Sequence, residues 1–173
     1  VLSDFYSTVA GICFTLLGLW WVVVQFKYDA WTANPARRRT SLHVSMYFLV
    51  PGIMSLFAIL SAQLTELWRI GFAVSAIIGL VESLLLLNAS RPTPGNRVRW
   101  AVIALTALAY LLVAIVAIDP TLVANLPGNP HGIEVEGVLV SILLFIGASF
   151  AWAMFVERPE GPPSAPAAGG TPA

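Results

Sequence analysis

In the stretch GFAVSAIIGLVESLLLLNAS, residues 71–90, one carboxylate, Glu82, interrupts an apolar run long enough to cross a bilayer. A charged side chain left in lipid near mid-helix costs at least ~2.5–3.5 kcal/mol. No Lys or Arg lies in the interior of any apolar run of this chain to neutralise it. Glu82 is therefore expected to face other helices or a subunit interface. Two roles suit it there. The leading expectation is structural, a group hydrogen-bonded to hydroxyls on neighbouring helices; the alternative is ion or proton handling.

Depth identifies those neighbours. Glu82 lies about eight residues, roughly 12 Å, from the end of its run. The same level falls near Tyr47, Thr106 and Ser149 in three other runs and near Gly18 in the first. Three of these carry hydroxyls, and the glycine lets a backbone approach. His43 lies nearer the surface and is able to lean toward this layer. Pro51-Gly52 interrupts the second run, and a proline there frees the carbonyl of Tyr47 and kinks a helix. A static kink is the plainer expectation and a gating hinge the sharper one.

Gly71, Ser75, Gly79 and Ser83 recur every four residues beside Glu82, and Ser3, Ser7, Gly11 and Thr15 repeat the pattern near the start of the chain. Small residues at this spacing let helices pack closely in lipid, where packing rather than hydrophobic burial drives association. The pattern does not distinguish contact within one chain from contact between chains.

Other chemistry is sparse. The chain has no HExxH, no paired carboxylates within a run, no glycine-rich phosphate loop and no GxSxG elbow. His43 and His131 fall on opposite sides and cannot share a haem. His131, Glu134 and Glu136 form a scattered, weak set for a divalent ion. The single cysteine, Cys13, reads as a small buried apolar group. No enzyme activity, cofactor or metal is expected.

The elements that position these residues follow from composition. Of 173 residues, 58% are hydrophobic and 10% charged, against about a quarter charged in an average soluble domain. The mean hydropathy is +0.82. Five apolar segments, approximately 5–26, 41–63, 68–89, 98–118 and 137–156, are each about 20 residues, the length of a helix across the ~30 Å hydrocarbon layer. The fold class expected is an all-α integral membrane protein, with a five-helix bundle over residues 1–157 and a low-complexity tail, 158–173, that is disordered or held by a partner. The first segment has no basic region before it and does not read as a cleavable signal peptide.

Lys27, Arg37, Arg38, Arg39, Arg91, Arg97, Arg99 and Arg158 fall on one side of the five spans, and only Arg69 on the other. By the positive-inside bias the N-terminus is outside and the C-terminus cytoplasmic. Trp20, Trp21, Trp31, Trp100 and Trp152 belong to the cytoplasmic interface and Trp68 to the outer one. The outer side carries Asp4, Glu66, Asp119, Glu134 and Glu136. Arg37, Arg38 and Arg39 serve as a topology signal and are placed to hold anionic lipid headgroups. A net charge of zero gives no argument for nucleic acid. Arginine exceeding lysine, among many Ala, Val and Leu, suggests a bacterial inner membrane.

Together these features point to a non-catalytic membrane subunit that packs into a larger complex. Its partners are the lipid bilayer and other membrane subunits or copies of itself. The alternative is a homo-oligomeric ion channel or proton- or cation-translocating protein that uses Glu82.

Overall fold

The computed structural model describes residues 1–28, 35–61, 66–89, 97–124, 127–128 and 130–156, with only the helical backbone for 35–37 and 154–156. Trp31, Arg91, Arg158, the tail 158–173 and the side chain of Arg37 lie outside the described residues. Among the described residues five long helices form: α1 (Leu2–Phe26), α2 (Pro35–Leu60), α3 (Leu67–Ala89), α4 (Arg97–Ile118) and α5 (Gly132–Val156). A 3-10 turn, Pro120–Val123, precedes α5. All five helices are long and apolar enough to cross a membrane. Helix is what such runs adopt in lipid, because it satisfies every backbone N–H and C=O within the segment.

The helices α2, α3, α4 and α5 pack in a ring, each against the next, with α5 closing on α2. Outside the ring, α1 rests mainly on α2 and less on α5. Two apolar clusters fill the interior. One gathers Tyr6, Met54, Phe72, Tyr110, Val113 and Leu143; the other gathers Trp20, Tyr47, Phe48, Ile103 and Phe150. The outward faces stay apolar, with Ile77, Ile78, Val81, Leu84 and Leu85 of α3 and Leu105, Leu108 and Leu111 of α4 exposed. A surface of that extent suits lipid rather than water.

One end of the bundle is basic, with Lys27, Arg38, Arg39, Arg97 and Arg99; the other carries Asp4, Glu66, Asp119 and Glu134. Polar contacts finish the helices at the acidic end. Arg69, at the start of α3, donates from Nε to the Ala117 carbonyl (3.1 Å) and from Nη2 to the Ile118 carbonyl (2.7 Å). It thus caps the last turn of α4, where a cation also complements the helix dipole. Its Nη1 meets Glu66 at 2.8 Å.

The fifth helix begins at Gly132, ahead of the segment start read at Gly137. The Glu134 carboxylate accepts from the His131 backbone N–H at 2.9 Å, one arm of a capping box, and so secures a turn that charge count alone assigns to the loop. The early start carries Glu136 into the bundle.

Candidate functional site

The residues of the polar layer are set by helical spacing. His43 and Tyr47 stand four residues apart on one face of α2, both buried, with their rings edge-to-face at 4.9 Å. Tyr47 crosses the ring of helices to Thr106 on α4, with 3.0 Å between the two hydroxyls. Thr106 donates its own proton to the Val102 carbonyl at 2.9 Å. Tyr47 is therefore the donor in the cross-bundle bond, because a threonine hydroxyl has one proton to give. Phe150 of α5 closes over Tyr47 at 5.7 Å and lies under the Arg99 guanidinium at 5.8 Å. Arg99 also donates to Thr40 Oγ1 at 2.7 Å, tying α4 to α2 at the basic end.

Glu82 lies at the flank of this cluster. Its side chain is 40% exposed, and its Oε2 is 3.9 Å from His43 Nδ1. That is too long for a hydrogen bond and close enough for a charge pair when the imidazole is protonated. Among the described residues neither ring nitrogen of His43 has a hydrogen-bond partner, nor does Nε of Arg99. These are under-satisfied polar atoms at the basic end, and the His43 imidazole is the one beside Glu82.

Ser149 is exposed on α5 and does not join the layer. The face of α5 that meets Tyr47 is instead Gly147 and Phe150: a side chain at Gly147 would meet Tyr47 Cβ at 2.6 Å, and the Tyr47 carbonyl freed by Pro51 lies on the same side. Depth alone places Ser149 with its neighbours; its angle around the helix turns it away. Gly18 is likewise exposed, with open space around it.

The row Gly71, Ser75, Gly79 and Ser83 is buried within this chain. Gly71 lies against the Phe57 ring of α2 and Gly79 against the Tyr110 ring of α4, each closer than any added methyl would allow. Ser83 donates back to the Gly79 carbonyl at 2.8 Å, which satisfies its hydroxyl inside the helix. The matching row on α1, Ser3, Ser7, Gly11 and Thr15, is exposed throughout. Pro51 and Gly52 are buried within a continuous α2. A side chain at Gly52 would meet Cys13 and Phe14 of α1 at 3.2 and 3.3 Å, so this pair is where α1 seats on α2. Arg38 and Arg39 are exposed at the basic end.

Glu136 is the residue that sequence reasoning assigned to the acidic outer surface and that the structure buries. It has no exposure, and among the described residues neither carboxyl oxygen has a hydrogen-bond partner. Glu136, Val140, Leu143, Gly147 and Phe150 are all buried at the i, i+4, i+7, i+11 and i+14 spacing of a helix face. Extending that periodicity backward from Val140 would have found it. Nearby, Tyr6 of α1 donates to the Ile133 carbonyl at 2.6 Å, pinning α1 to the start of α5. His131 pairs with Glu134 at 3.6 Å. Among the described residues no three His, Cys, Asp or Glu side chains gather as a metal site.

No protein-family model matches the chain, and no curated protein or solved structure shows significant similarity to it.

Proposed function

We propose that this chain is a non-catalytic integral membrane subunit that docks into a larger membrane complex through the outward face of α1. The observation that carries the reading is the contrast between two small-residue rows. The row on α3 is covered by Phe57 and Tyr110 of its own chain. The row on α1 is open, and α1 is the least buried span, with 22% of its apolar window inside the chain against 39–61% for the others. A surface of Ser, Gly and Thr backbones offers lipid chains little to grip and offers another helix a close approach. The partner is a membrane helix, from a different subunit or a second copy. Purification in gentle detergent, with mass determination and identification of what co-elutes, tests this directly: a chain that runs alone contradicts it.

A second reading is favoured by one observation, the half-exposed Glu82 beside a buried His43 whose ring nitrogens make no hydrogen bond among the described residues. In a homo-oligomer that places this flank on a shared axis, Glu82 would line a path for protons or cations. Flux through liposomes by wild type and Glu82→Gln separates the two, since a docking subunit conducts in neither form.

A further inference from the structure

Between the basic ends of α1 and α2 lies a groove of about 310 Å³. Four of its lining residues, Arg38, Ser41, Leu42 and Ser45, share one face of α2 by their three- and four-residue spacing. Their order grades from charge to hydroxyl to hydrocarbon. Arg38 is exposed and opens the apolar window of α2, Ser41 and Ser45 are buried, and Leu42 is half exposed one turn deeper than Arg38. Trp21 and Val24 of α1, with Tyr28 just beyond its end, form the opposite wall, which is mostly apolar.

We propose that this groove binds one anionic glycerophospholipid, with the phosphate on Arg38, the glycerol-ester region against Ser41 and an acyl chain along Trp21, Val24 and Leu42. Charge argues for an anion. Among the described residues the groove is lined by no acidic side chain, Arg39 is exposed beside Arg38, and the positive end of the α2 dipole begins three residues earlier at Pro35. The walls argue for a lipid rather than a free anion, because Trp21, Val24 and Leu42 present hydrocarbon that a small ion alone would leave uncovered. Depth agrees as well. A residue at the start of an apolar window meets headgroups, and one a helical turn further in, about 6 Å, meets ester and chain. The site lies beyond the Ser3–Thr15 row toward the basic end of α1, and the inference does not rest on the docking role of that row.

The test is native mass spectrometry of the full chain taken from mixed phosphatidylcholine–phosphatidylglycerol vesicles. Wild type is expected to retain one phosphatidylglycerol in preference to phosphatidylcholine. Arg38→Gln is expected to weaken that preference about fivefold, the effect of one basic residue at a membrane surface. Leu42→Trp, which fills the groove from an exposed position and leaves every charge in place, is expected to lower retention of both lipids. Both substitutions are at the surface, and circular dichroism checks that the helices persist. No preference in wild type, an unchanged preference in Arg38→Gln, unchanged retention in Leu42→Trp, or inorganic phosphate held in place of lipid would each overturn the proposal.

Discussion

Thr106 on α4 receives, and does not give, the hydrogen bond that joins it to Tyr47 on α2, because its proton is already committed to the Val102 carbonyl. The direction has an energetic consequence. Tyr47→Phe removes a donor and leaves Thr106 with its backbone bond, whereas Thr106→Val strands a buried tyrosine hydroxyl. Thr106→Val is therefore expected to be the more destabilising single change. The coupling between the two is expected at about 0.6–1.7 kcal/mol, the range from average to largest for hydrogen bonds between membrane helices. A double-mutant cycle on reversible unfolding in detergent measures both quantities, and equal single effects with no coupling would refute the assignment.

Gly79 sits under the Tyr110 ring with no room for a methyl group. Gly79→Ala is expected to cost about 1–3 kcal/mol through overpacking. Trimming the opposing ring with Tyr110→Leu should recover part of that loss if the contact is the cause. Thermal denaturation of the two single variants and the double variant reads the result; additive losses would place the damage elsewhere.

Among the described residues neither oxygen of Glu136 makes a hydrogen bond that its replacement would lose. Glu136→Met keeps the volume and removes the polar head, and buried polar groups without partners oppose folding. The variant is expected to be as stable as wild type or more so by about 1 kcal/mol or more. A clear fall in melting temperature would show that the carboxyl has a partner and a role.

Outside the spans, Asp119 accepts from the Thr121 hydroxyl at 2.6 Å and from the Thr121 N–H at 3.1 Å. These bonds, the hydroxyl first, hold its carboxyl below the usual carboxylate range, with a smaller contribution from Arg69. A carboxyl lowered in the folded state stabilises above its unfolded pKa, about 3.9, and loses that contribution as the pH falls through the folded value. An NMR titration of the Asp119 side-chain carboxyl is expected to show a midpoint below that of an unstructured aspartate. Thr121→Ala should move the midpoint upward, and an unmoved midpoint would rule out the cap.

How legible this fold was depends on which coordinate is asked for. Position along the membrane normal is written in the length of each apolar run, and the matching of Tyr47 with Thr106 came from depth alone. The angle around each helix is not written so plainly. Ser149 shares the depth of Tyr47 but faces outward, while Gly147 and Phe150 of the same helix make the contact. Glu136 was missed because a pair of glutamates beside a histidine resembles a loop, although the spacing to Val140 and Leu143 marks the buried face. The two small-residue rows look alike in sequence, and only the packing distinguishes the covered one from the open one.

That open row supplies the most direct test of the central claim. Among the described residues nothing lies within 4 Å of a Cβ added at Gly11, and Gly11→Leu is expected to leave the bundle itself undisturbed. The account predicts that wild type purified in gentle detergent carries its partner in fixed stoichiometry and that Gly11→Leu, with unchanged melting temperature, has lost it. An equally stable Gly11→Leu protein that keeps the same complex mass would contradict docking through α1.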